Sequence, residues 1–355
     1  MNRKTTVAFF PSAEALSENA YWVILAEGLQ NNGFELVQNT PPSFDLGWLF
    51  RNRSRIGILH LHFIQAFYKS THPLKVIIKL LGFGINMFLA KLLGYKTIFT
   101  LHNLEATYPI EPPYLDYIGH FISANLSDRV IVYCEESKKL LKEKYWRKKN
   151  VWKVEHPALT AYYPNTITRE NARLMTDVGE NTFVFLFFGG IRPNKGVELL
   201  IRAFKELPDS DIRLLIAGKA FPPASYIEEL RNSVSQDPRI ILQLEYIPDE
   251  RIQVYMNCAD VVILPFAKIL TSGTAHLAMS FGKPVIVPRT GCLPEMVESG
   301  AGWLFDPGDT SSLIEVMSNS RVDNPASRGK IGRDKIFQSS ISNFILSHTA
   351  VYCDN

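Results

Sequence analysis

Short apolar runs bounded by turn residues alternate with segments of helical period along most of the chain, the pattern of parallel sheets covered by helices on both faces. Strands are predicted at Thr6–Phe10, Glu35–Val37, Ile56–Leu61, Thr97–Leu101, Val130–Tyr133 and Val151–Glu155. Helical patterns lie between them at Ala20–Asn31, Leu74–Leu93, Tyr114–Leu126 and Ser137–Tyr145. Residues 157–181 mix prolines, threonines and both charges without a period, and a new apolar strand follows at Phe183–Phe188. The alternation then resumes, with strands at Ile212–Ala217, Ile240–Leu244, Val261–Leu264 and Pro284–Val287. Its helices are predicted at Val197–Leu207, Tyr226–Val234, Asp249–Asn257, Ala275–Phe281 and Thr310–Ser318. The expected organisation is α/β. An N-terminal Rossmann-like domain covers 1–160, a linker 161–180, a C-terminal Rossmann-like domain 181–335, and a last helix in 336–355 returns to the N-terminal domain. Two doubly wound parallel-sheet domains facing a cleft result, with ligands expected outside the carboxyl ends of the strands.

A chain of 355 residues suits two domains of ordinary size, and 46% apolar with 21% charged residues is a folded, globular composition. Cys134, Cys258, Cys292 and Cys353 are scattered, without the spacing of a zinc site or a disulfide framework, so no metal is expected and a cytoplasmic location fits. A net charge of +3 with no groove-binding motif sets nucleic acid aside. The longest apolar run, Leu80–Ala90 between Lys79 and Lys91, falls short of the roughly 20 residues of a spanning helix, and no transmembrane helix is predicted. The lysines of Leu74–Leu93, and the basic stretch 137–153 with Tyr145, Trp146 and Trp152, nevertheless suit peripheral attachment to the inner face of a membrane. A core helix and a solvated helix end explain the same residues equally well.

The chemistry concentrates at strand ends of the second half. Thr271, Ser272, Gly273 and Thr274 join a strand to a helix, where unpaired N–H groups and the helix dipole suit a phosphate; an ordinary N-cap is the competing reading. In FFGGIRPNKG, residues 187–196, Gly189 and Gly190 allow close backbone approach while Arg192 and Lys195 are placed to clamp phosphate oxygens. LLIAGKA ends the next strand in the same way with Lys219. In the first half, His60 and His62 share a face of LHLHF and read mainly as satisfied core residues. His102 follows the strand TIFTL directly and is the candidate hydrogen-bond or acid/base group.

In order, FFGGIRPNKG, LLIAGKA, EYIPDERIQVYMNCADVVILP and SGTAHLAMSFGKPVIVPRTGCLPE resemble the GT-B-fold glycosyltransferases of family 4. TLHN, SDRVIVYCEESKKLL and KVEHP resemble that family's N-terminal half. The resemblance implies a hexosyltransferase that takes a UDP- or GDP-sugar in its C-terminal domain and a glycan or lipid-linked acceptor in its N-terminal domain, for polysaccharide or glycolipid synthesis. It implies no cofactor and no metal. Lys195 matches the family's phosphate-binding lysine, Lys219 a second donor lysine, His102 the histidine near the donor sugar, and Tyr246 and Ile247 the backbone beside the nucleobase.

Two departures stand out. Gly190 occupies the place of the family's usual arginine, which here comes two residues later as Arg192. The family's paired glutamates fall at Ile269 and Leu277, so the usual signature of retention is missing and stereochemistry stays open, with retention the family's general outcome. Glu295 in GCLPE is the nearest carboxylate in sequence and is a candidate for a hydroxyl contact, or equally a helix cap. For an inverting reaction the candidate bases are His102, Glu105 and Glu18. A nucleotide-sugar epimerase and a non-catalytic nucleotide-sugar-binding protein are the alternative functions.

Overall fold

The structure, a computed structural model, describes residues 5–12, 19–104, 112–159 and 162–353. It divides into two compact units, Met1–His156 with Ile341–Asn355, and Pro157–Ser340. The first unit is built on six parallel strands: β1 (Thr6–Phe10), β2 (Glu35–Leu36), β3 (Ile58–Leu61), β4 (Lys96–Thr100), β5 (Arg129–Val132) and β6 (Val151–Lys153), in the order β2-β1-β3-β4-β5-β6. Every residue of β1 and β3 is buried, which is why these strands read as unbroken apolar runs rather than alternating ones.

The last helix, Ile341–Cys353, belongs to this unit. It lies against helix Ala20–Asn31 at Gly28, where a Cβ would fall 2.2 Å from the Ile345 side chain. Polar ties hold its end. Lys96 Nζ donates to the Tyr352 carbonyl at 3.0 Å, Arg129 donates to the Val351 carbonyl, and the Tyr352 hydroxyl lies 2.5 Å from His60 Nδ1.

The second unit has the strands β7 (Phe183–Phe188), β8 (Ile212–Ala217), β9 (Ile240–Gln243), β10 (Val261–Ile263), β11 (Val285–Pro288) and β12 (Gly302–Phe305). Their order is β12-β11-β10-β7-β8-β9, all parallel, with the direction of winding reversed between β7 and β10. Of residues 161–180, expected as a linker, the described part, 162–180, is instead built into this unit. Helix Arg169–Met175 carries Arg173, only 2% exposed, whose guanidinium bonds Asp260 at 2.7 Å and the carbonyls of Gly179 and Thr182 at 2.9 and 2.7 Å. Gln253 Oε1 accepts the N–H groups of Thr166 and Ile167. Polar anchoring of this kind leaves no apolar period to read.

Candidate functional site

In the second unit, β7 lies between β8 and β10, so the loops leaving these three strands share one edge of the sheet. Two glycines draw them together. Gly218 has φ +147°, and a Cβ on it would sit 2.0 Å from the Gly189 carbonyl oxygen; at Gly196, φ +69°, a Cβ would sit 2.0 Å from that of Pro265. The Thr274 hydroxyl stands 3.4 Å from where a Gly189 Cβ would be. Gly189, Gly190, Lys219 and the loop before Gly273 are thereby assembled at one place, as the sequence suggested.

Three cations line it. Arg192 lies 4.4 Å over the Phe221 ring, Lys219 Nζ is 5.6 Å from the same ring, and Lys195 Nζ is 4.3 Å from the Phe266 ring. The rings screen the cations from water on one side while stabilising them. Burial, and then the like charge of Arg192, lowers the Lys195 ammonium from its usual value to about 8. A partly desolvated lysine beside a second cation is stabilised by any anion that arrives. Phe221 and Phe266 were not read from the sequence. The signal was present, an aromatic residue a few positions beyond each strand end, but it resembles ordinary core.

The loop residues divide in their roles. Ser272 is 4% exposed and its Oγ accepts the Ala275 N–H at 3.2 Å, capping helix Gly273–Ser280. Its oxygen thus serves as the helix cap, while its O–H remains a donor. Thr271 Oγ1, by contrast, is buried with no hydrogen-bond partner among the described residues. The N–H groups of Gly273 and Thr274 donate to no described backbone group, and a Cβ at Gly273 would meet nothing within 4 Å. Open space, two N–H groups and an unsatisfied hydroxyl meet at one helix N-terminus.

Glu295 lies in the first turn of helix Leu293–Val297. The preceding turn is seated on the loop, with Cys292 N–H donating to the Leu270 carbonyl at 2.7 Å. Tyr246, 57% exposed, and buried Ile247 follow β9 at the sheet edge. Leu277, at one of the positions where the resemblance would put a glutamate, is a buried core residue.

In the first unit, His102 is half-buried at the end of β4. Its Nε2 lies 3.1 Å from His62 Nδ1 and its Nδ1 lies 3.1 Å from the Tyr133 hydroxyl, which donates to Tyr21. That direction makes Nδ1 of His102 the protonated nitrogen and leaves Nε2 to accept from His62. Burial lowers the His102 pKa to about 3 and holds His60 and His62 well below the ordinary histidine value. His60 is fully buried between the Tyr352 and Thr100 hydroxyls, the structural role expected of it. Both His102 nitrogens are engaged and the ring is neutral, so the acid/base role suggested from the sequence is not supported. The pairing of His62 with His102 joins different strands and had no sequence signal. Glu18 and Glu105 lie outside the described residues.

Residues 182–320 match the family model for glycosyl transferases group 1. A GDP-mannose:glycolipid 4-beta-D-mannosyltransferase of Xanthomonas campestris is 34% identical over 122 residues, 34% of each chain. A D-inositol 3-phosphate glycosyltransferase of Rhodococcus opacus is 28% identical over 276 residues, 72% of this chain and 60% of that one. The matches span from about a third to about three fifths of the curated relatives' length. Among solved structures, sucrose-phosphate synthase from Thermosynechococcus elongatus superposes with a TM-score of 0.76 at 18% identity over 98% of both chains. Anabaena Alr3699/HepE in complex with UDP and glucose gives 0.74 at 16% identity, covering 99% of this chain and all of that one. These likenesses extend over the whole fold.

Proposed function

We propose that this chain, which has the GT-B fold and carries a glycosyl transferases group 1 domain in its second unit, transfers a hexose from a UDP- or GDP-sugar to a glycan or lipid-linked acceptor. The observation that carries the reading is the meeting of Lys195, Arg192, the unpartnered Thr271 hydroxyl and the open helix N-terminus at Gly273 on one sheet edge. That combination suits a diphosphate. The cations and N–H groups hold it in the ground state and stabilise it more as the glycosidic bond breaks and charge grows on the leaving oxygen. Gly189 and Gly190 let the phosphates approach the backbone, and Lys219 adds charge at the rim. Tyr246 and Ile247, at the end of β9, suit the nucleobase, and Glu295 a hydroxyl of the nucleotide sugar.

The anomeric outcome stays open in this reading: of the candidate bases for inversion His102 has both nitrogens engaged, Glu18 and Glu105 lie outside the described residues, and one relative is named for forming a beta-mannoside from GDP-mannose. The curated relatives named as glycolipid and inositol-phosphate glycosyltransferases support transfer over epimerisation. Incubation with UDP- and GDP-hexoses, with and without glycan or lipid-linked acceptors, tests the proposal, and NMR of the product reads its anomeric configuration. Epimerised donor, or nucleotide binding with no product from any donor, would overturn it.

A further inference from the structure

Helix Pro73–Leu92 of the first unit has two apolar faces. Val76, Leu80, Phe83, Met87 and Ala90 are buried in the core. On the other side Leu74, Ile78, Leu81, Ile85, Phe88 and Leu92 form a second stripe at helical spacing, each between 56% and 68% exposed. It runs for about 27 Å at the rise of an α-helix. Beside it an apolar groove of about 340 Å³ opens toward helix Tyr114–Leu126, between Ile77 and Gly84 on one wall and Ile118 and Ile122 on the other. Among the described residues nothing covers either feature, and a continuous apolar surface of this length marks a binding face.

Charge identifies the occupant. The helix carries Lys75, Lys79 and Lys91 and no carboxylate of its own; Lys91 pairs with Asp128 at 3.3 Å, which leaves Lys75 and Lys79 as its bases without a paired carboxylate among the described residues. Across helix Tyr114–Leu126, Trp146 is 71% exposed with its ring centroid 5.9 Å from that of Phe121 in an edge-to-face arrangement, and Arg147, Lys148 and Lys149 follow it directly. On the other flank Phe50 is exposed beneath Arg53, 5.3 Å away. A second copy pairing its stripe with this one would bring lysines together with no acid on the helix to receive them. Although its length and mean hydropathy of 1.6 would permit a membrane span, the helix is tied into the domain by its buried face and by Asn86, which donates to the Phe44 carbonyl. An apolar stripe flanked by bases and an interfacial tryptophan matches a helix lying in the headgroup layer.

We propose that this face docks the protein on an anionic lipid bilayer, with the stripe among the acyl chains, the bases on lipid phosphates and one chain end in the groove. The inference rests on the surface of the first unit and is independent of the nucleotide site. The test is co-sedimentation of the full chain with vesicles of phosphatidylcholine alone, or mixed with phosphatidylglycerol, at low and high salt. Binding is expected to be at least tenfold stronger on the anionic vesicles and weakened by salt. The Leu81→Gln/Ile85→Gln and Lys148→Glu/Lys149→Glu variants should each lose most of it. Their melting shift with UDP or GDP should match the parent, which reports folding and the nucleotide site separately. Equal binding to both vesicle types, unchanged binding by both variants, or a stripe-dependent dimer in sedimentation with no vesicle binding would overturn the proposal.

Discussion

His62 Nδ1 and His102 Nε2 stand 3.1 Å apart, so the imidazole at the end of β4 is held by a second imidazole rather than left open to a substrate. Tyr133 takes the other nitrogen. The expected consequence is that His102→Ala lowers stability by about 1–3 kcal/mol, through partners left unsatisfied. Turnover per folded molecule should keep its pH profile, because the ring moves no proton. Melting temperature and a turnover–pH curve on the purified variant check both points, and loss of a titrating limb would restore the acid/base role.

The same cluster makes stability depend on pH. His60, His62, His102 and His348 all have folded pKa values below the unfolded 6.5, with burial the leading cause, and His102 and His348 lie near 3 and 4. Below 6.5 the unfolded chain binds more protons than the folded one. Their contribution is therefore complete above that pH and is lost as pH falls. Each imidazole adds up to about 1.4 kcal/mol per pH unit between 6.5 and its folded pKa. Acidification from pH 7 to 5 should melt the first unit well before the second. A flat melting temperature across that range would mean the histidines are not buried neutral.

Two neighbours in the phosphate loop should behave differently. Gly273→Val places its side chain in open space, so the fold should hold while the nucleotide-induced melting shift disappears. Ser272→Ala removes a helix cap and should cost about 0.5–2 kcal/mol of stability, with nucleotide binding weakened but not abolished because the backbone N–H groups remain. A full nucleotide shift in Gly273→Val would remove the helix N-terminus from the site.

Much of this arrangement is legible in the chain, and the exceptions have physical causes. The strands Thr6–Phe10 and Phe183–Phe188 were read to the residue because strands buried on both faces are continuous apolar runs. Strand Gly302–Phe305 was missed: it is short, lies at the sheet edge, and leaves Trp303 and Leu304 half-exposed. Helix Pro325–Gln338 packs through Gly329 and Gly332, where close approach substitutes for apolar side chains, so it shows no period. At the candidate site Gly189 and Lys219 could be singled out in the sequence because they directly follow the apolar strands β7 and β8, and Lys195 and Thr271 because each lies among small residues in the loop before a helix. The aromatic supports and the His62–His102 pair depend on side-chain directions that spacing does not encode.

Asp260 accepts from Arg169 and from buried Arg173. Asp260→Ala should destabilise the second unit by about 3–5 kcal/mol, because Arg173 would keep its buried charge without a counter-ion. Denaturant melts compare it with Arg169→Ala, which removes a side chain 42% exposed and should cost under about 1 kcal/mol. Equal costs would contradict the anchoring role of residues 166–180.

The central claim, that Lys195 and its neighbours form a diphosphate site, is tested most directly by calorimetric titration of UDP and GDP into the parent protein between pH 7 and 9. With a free-state Lys195 pKa of about 8, raised when an anion binds, affinity should be steady below pH 8. Above it, affinity should fall toward about tenfold per pH unit, with proton uptake on binding near pH 8. Lys195→Arg should bind with no such dependence, and Lys195→Ala should bind weakly at every pH. PH-independent binding without proton uptake in the parent, or parent-like affinity in Lys195→Ala, would contradict the claim.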